Sequence, residues 1–135
     1  MIDKHNILKA TKMLMHEVVK DIEEQLEKKK INIDTLLVDG NQFDIYLDRN
    51  FECIPHQCVT KGDNIYKSIA AASILAKESR DRYMTQLVED NPEYKKYGWL
   101  NNMAYGTKKH IEAIKENGIT PVHRKTFGIC KNFSV

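Results

Sequence analysis

The sequence predicts a mixed α/β fold, and three observations carry that expectation. Two long stretches, residues 5–29 and 65–88, read as helices. Between them lie two short strand-like runs, LLVD at 36–39 and ECIPHQCVTK at 52–61. Two aspartates, Asp39 and Asp63, stand at the exits of those runs, at what the pattern makes one end of a sheet.

In chain order, the first helix follows from Ile7, Leu8, Met13, Leu14, Val18, Val19, Ile22 and Leu26 recurring at helical spacing, with acids and lysines on the other face. Its EKKK tail places cations at the negative end of the helix dipole. Leu36–Leu37–Val38 is a continuous apolar run, as in a strand covered on both sides, and Gly40 stops it. Residues 41–51 read as a connection, and ECIPHQCVTK as a second strand whose Pro55 puts it at a sheet edge or starts its pairing late. Asp63 or Asn64 is the expected N-cap of the second helix. The AAAS run at 70–73 has little side-chain bulk, which suits close packing on a sheet or approach of a phosphate. Residues 91–106 read as a loop around the single tryptophan, Trp99. Thr107 caps a third helix, TKKHIEAIKEN, ended by Gly118. The tail after it shows no period. Two strands make a poor sheet for helices of this length, so the elements predict part of a domain.

Composition narrows the function classes. A chain of 135 residues has room for one domain with a modest core. A net charge of +2 is too small to argue nucleic-acid binding, so only a local patch could do so. There is no membrane-spanning apolar run and no signal-peptide pattern at the start, which predicts a cytoplasmic, reducing setting. Cys53, Cys58 and Cys130 lack zinc spacing and read as buried free thiols. The five histidines (5, 16, 56, 110 and 123) are scattered and read as structural or surface groups.

The candidate chemistry lies between Asp39 and Asp81. An acid at a strand end and an acid at a strand-to-helix turn could share a hard divalent cation. Ser73, Lys77 and Arg80 or Asp81 fall on one helical face beside them, a combination that suits metal-dependent phosphodiester chemistry. Each acid also has a plainer reading: Asp63 as an N-cap, Asp39 as a turn residue before glycine. Arg80 and Asp81 could form a structural ion pair.

VDGN at 38–41, KGDNIYKSIAAASILAKESRDRYM at 61–84 and AYGTKKHIEAIKENGITPVHRKTF at 104–127 strongly resemble ribonuclease HII, the type 2 ribonuclease H family. The opening IDKHNILKATKMLM is similar to the family's first long helix. The resemblance implies a ribonuclease H-like fold and a metal-dependent endonuclease, using Mg²⁺ or Mn²⁺ in two-metal-ion catalysis. It cuts the RNA of RNA–DNA hybrids, or at ribonucleotides embedded in duplex DNA, and leaves a 5′-phosphate and a 3′-hydroxyl, with a place in DNA replication and repair. By resemblance, Asp39 and Asp63 match the third and fourth metal-binding carboxylates. Tyr105 matches the tyrosine under the sugar at the RNA–DNA junction, where the 2′-hydroxyl distinguishes RNA. Ser73, Lys77 and Arg80 match the polar helix face near the substrate backbone; Lys61 and His123–Arg124 could touch phosphates or equally stand solvated at the surface.

The departures matter as much. No DEAGRG-type segment, the family's source of two further carboxylates, occurs in these residues. The expectation is therefore a partial ribonuclease HII domain, shortened at its N-terminus, with residues 1–90 as the remnant of the core and 91–135 as a helical, substrate-contacting part. NMAY at 102–105 stands where the family carries an HKGY-like stretch. Three readings remain: an enzyme completed by strands from elsewhere, such as a separate chain; a module that binds hybrids without cutting; or an inactive remnant.

Overall fold

The computed structural model describes residues 2–133. A short helix α1 (Ile2–His5) precedes α2 (Ile7–Glu27). The expected single helix over 5–29 is thus interrupted at Asn6, which has φ 65° and caps α2 by accepting the Lys9 N–H at 3.0 Å.

Strand β1 (Leu36–Asp39) pairs in parallel with β4 (His56–Val59), Leu36 opposite His56 and Asp39 opposite Val59. A second sheet is an antiparallel hairpin of β2 (Tyr46–Leu47) and β3 (Cys53–Ile54). Two expectations are corrected here. The 41–51 connection contains β2, and ECIPHQCVTK is two strands in two different sheets. Pro55 is the reason: it has no N–H to donate, so the ladder breaks there. Its carbonyl instead accepts from the Leu36 N–H (2.9 Å) and the Thr35 hydroxyl (3.2 Å). The hairpin turn is held by Asp48, whose Oδ1 accepts the Asn50 and Glu52 N–H groups at 2.8 Å. Buried Tyr46 donates to Glu23 Oε2 on α2 at 2.9 Å. Burial, then the Glu23 carboxylate, pushes its phenol up to about 12.

After β4 the chain makes a 3₁₀ turn at Gly62–Asn64 and enters α3 (Lys67–Asp90). Because α3 starts at Lys67 rather than Ile65, neither Asp63 nor Asn64 is its N-cap. The AAAS run does not pack on a sheet either: Ala71 to Ala76 are exposed, since each sheet among the described residues has only two strands.

The chain forms two compact units that divide inside α3, between Ser73 and Ile74. Met84 and Val88 of α3 belong to the core of the second unit. That core gathers Met84, Val88, Tyr97, Trp99, Ala113, Ile114 and Cys130. The 91–106 segment, expected as a loop, holds a 3₁₀ helix (Pro92–Tyr97) and α4 (Trp99–Asn102). Helix α5 (Lys108–Asn117) is the expected third helix: Thr107 Oγ1 accepts the His110 N–H, and Gly118 follows at φ 75°. Of the cysteines only Cys130 is buried; Cys53 is exposed on its two-residue strand and Cys58 is half-buried, against the expectation of three buried thiols.

Candidate functional site

The parallel pairing of β1 and β4 brings the exits of both strands to one end. Asp39 is the last residue of β1, opposite Val59, and the chain leaving Val59 turns at once through Lys61 and Gly62 to Asp63. Lys61 takes a left-handed conformation (φ 56°), and the buried Gly62 N–H then donates to Asp39 Oδ1 at 2.8 Å. A side chain at position 62 has no room: its Cβ would lie 2.6 Å from Ile69 Cδ1, 3.3 Å from Val59 Cβ and 3.4 Å from Asp39 Oδ1. The glycine in KGD is therefore explained by close approach, not by a special φ. Asp39 and Asp63 are both exposed.

Oxygen donors of this kind suit a hard divalent cation. Their number does not suit a two-ion centre. Among the described residues no three His, Cys, Asp or Glu side chains gather closely enough to hold a metal, and one oxygen of Asp39 is already engaged by Gly62.

Along α3, Ser73 and Lys77 are exposed. Lys77 Nζ lies 2.6 Å from Asp81 Oδ2, a contact that holds its ammonium above the usual lysine range. In the second unit, Arg80 only grazes Asp81, at 3.9 Å. Its guanidinium lies over the Tyr105 ring, 4.4 Å from the centroid, and its Nη2 donates to the Met103 carbonyl at 2.6 Å. Nη1 is enclosed without a hydrogen-bond partner. Tyr105 itself is 58% exposed, so one ring face is braced while much of the residue is open.

The backbone before Tyr105 is left-handed at two successive non-glycine residues, Met103 (φ 46°) and Ala104 (φ 58°). Such a conformation costs about 1–2 kcal/mol per residue with a Cβ. Ala104→Gly is accordingly expected to raise stability by about 1 kcal/mol, read as a shift in denaturation midpoint at unchanged slope.

Two residues that sequence reasoning set aside are central to this unit. His110 and His123 are buried, with their Nε2 atoms 3.3 Å apart, and Trp99 Nε1 donates to His110 at 2.9 Å. His123 therefore does not face phosphates as the HR pair had suggested; Arg124 alone stays exposed, 5.5 Å from the Phe127 ring. Nothing in the spacing of 110 and 123 joins them, because a helix presents one and a turn the other. Burial, then the neighbouring His110, pushes His123 down to about 4. Its unfolded value is near 6.5. Between these values the unfolded chain binds the extra proton, so the stabilisation is complete above about pH 6.5 and is lost as pH falls toward 4. A loss of about 1–2 kcal/mol is expected over that window after allowance for screening, and His123→Gln should flatten it in denaturation curves taken at each pH.

Among the described residues no helix is long and apolar enough to cross a membrane. A family model described as Ribonuclease HII matches residues 3–130. Ribonuclease HII of Parabacteroides distasonis is 52% identical over 126 residues, covering 93% of this chain and 56% of the relative. The Phocaeicola vulgatus protein of the same name is 48% identical over 128 residues (95% and 56%), and that of Christiangramia forsetii 44% over 126 (93% and 56%). The chain spans about half the length of the curated relatives it matches. With the family model matching nearly every residue, from the first helix through both aspartates to the HRKTF turn, the chain belongs to the ribonuclease HII family.

Proposed function

We propose that this chain carries part of the active site of an endonuclease acting on the RNA strand of RNA–DNA hybrids, or at ribonucleotides embedded in duplex DNA, leaving a 5′-phosphate and a 3′-hydroxyl. The observation that carries the reading is the Gly62 N–H to Asp39 bond, which fixes one carboxylate beside the turn that bears the other. In this reading Asp39 and Asp63 are ligands for Mg²⁺ or Mn²⁺ in a ribonuclease H-like fold. The remaining carboxylates come from residues other than 2–133, in a longer chain or a separate one carrying further strands of the sheet. Residues 1–135 are then one partial domain.

Tyr105 supports the substrate assignment. A tyrosine with one face held by a guanidinium and much of its surface open can stack against a sugar and sense its 2′-hydroxyl. The Arg80 guanidinium, half-buried on α3 and braced by the Met103 carbonyl, adds positive charge beside Tyr105 that suits a phosphate backbone. Exposed Ser73 and Lys77 on α3 would lie along the substrate backbone. A DNA duplex with one ribonucleotide, incubated with Mn²⁺ or Mg²⁺, tests the reading. The expectation is little or no incision by these residues alone, and incision when a segment bearing the missing carboxylates is added. Asp39→Asn or Asp63→Asn should abolish that restored incision. Restored incision that survives both substitutions would overturn the proposal.

A further inference from the structure

The ring nitrogens of the buried histidine pair admit one consistent proton assignment. Thr120 donates to His123 Nδ1 from its backbone N–H at 2.9 Å, with its hydroxyl also 2.8 Å away, so that nitrogen is an acceptor. The His123 proton then sits on Nε2, facing His110 Nε2 at 3.3 Å. Indole N–H groups only donate, so the 2.9 Å contact from Trp99 also makes His110 Nε2 an acceptor. That leaves the His110 proton on Nδ1, which lies 3.0 Å from the Tyr105 carbonyl. The chain of donors runs from Thr120 through both rings to the main chain of Tyr105. A second proton fits nowhere in it. On His123 it would face the Thr120 N–H, and on His110 Nε2 it would face two donors at once.

The segment so held needs holding. Met103 and Ala104 are both left-handed; the Tyr105 N–H donates to the Asn102 carbonyl at 2.8 Å, its carbonyl accepts the Thr107 N–H at 2.7 Å as well as His110, and the Arg80 guanidinium lies on its ring. We propose that His110 and His123 are positioning residues for Tyr105: uncharged and fixed in opposite tautomers, they help hold its main chain in place, and a proton taken up by the pair sets donor against donor at His110 Nε2 or His123 Nδ1 and displaces the ring against which Tyr105 rests. The surroundings favour the uncharged state. The pocket that both histidines line also carries the titratable groups Arg80 and Tyr83 of α3, Tyr105, Arg124 and Cys130, and Tyr97 packs edge-on against His123. None is a carboxylate, and the two arginines oppose an added positive charge.

That this position matters to substrate rests on Tyr105 being the sugar-facing residue proposed above. The test reads position and role separately. Long-range ¹H–¹⁵N spectra of the chain between pH 3.5 and 8 should show His110 protonated on Nδ1 and His123 on Nε2. His123 should stay uncharged through pH 6, and the Tyr105 amide and ring signals should move with the same midpoint when it finally charges. In His110→Asn, whose side-chain amide keeps a donor near the Nδ1 position, the Tyr105 signals should stay close to those of the unmodified chain; in His110→Ala they should shift and broaden. The reverse tautomers, or titration of either ring without any change at Tyr105, would overturn the positioning role. These spectra decide it on the unmodified chain even if a variant fails to fold. A Tyr105→Ala chain that tells a ribonucleotide-containing duplex from DNA as well as the unmodified one would remove the substrate reading and leave the spectra standing.

Discussion

Replacing Trp99 with alanine is expected to cost about 3–5 kcal/mol, a large share of a small domain's stability. Trp99 is 1% exposed, stacks on Tyr97 at 5.2 Å between ring centroids, and donates to His110. Its loss would open a cavity in the cluster of Met84, Val88, Ala113 and Ile114 and leave His110 Nε2 with one donor fewer. Urea denaturation followed by circular dichroism checks the magnitude. Trp99→Phe separates the two contributions, since it retains most of the ring but not the N–H, and should cost about 1–3 kcal/mol. A loss below about 1 kcal/mol for the alanine variant would mean that the second unit is not built around this residue.

Gly62→Val is expected to damage the aspartate end of the parallel pair more than a conservative change elsewhere on the turn. The new Cβ would meet Ile69 Cδ1 at 2.6 Å and Val59 Cβ at 3.3 Å. The Ile69 methyl, although buried, can rotate aside; Val59 Cβ is fixed to the strand and cannot. Overpacking of this kind costs about 1–3 kcal/mol. The turn must shift, and with it the N–H that holds Asp39. Gly62→Ala should show the same defect in milder form. Unchanged unfolding and unchanged backbone shifts at Asp39 in the valine variant would contradict the close approach seen here.

Much of this was legible in the sequence because it depends on local signals. The Thr107 and Gly118 caps set α5, and the apolar run at 36–38 set β1. The short supply of strands was visible too, and each sheet among the described residues has two. What the sequence did not show was long-range or competitive. The hairpin at Tyr46 and Ile54 is only two residues per strand, too short for any periodicity. Pro55 marked an edge or a late start of pairing, and β4 does begin only at His56, but not that the residues before it form a strand of another sheet. Asp63 looked like a cap because it precedes a helix; it lies instead within the 3₁₀ turn Gly62–Asn64, and the helix starts at Lys67. The left-handed residues Met103 and Ala104, neither a glycine, gave no turn signal. The histidine pair emerged only when α5 and the 120–123 turn were brought together.

Asp39 and Asp63 serve one cation in the proposed site, and paramagnetic broadening by Mn²⁺ tests that most directly. In ¹H–¹⁵N spectra of the chain, substoichiometric Mn²⁺ should broaden the amides of Asp39, Gly40, Gly62 and Asp63 first. Asp39→Asn and Asp63→Asn should each remove the effect at all four. Broadening centred on other acids, such as Glu23 and Glu27 or Asp81, and unaffected by either substitution, would contradict it.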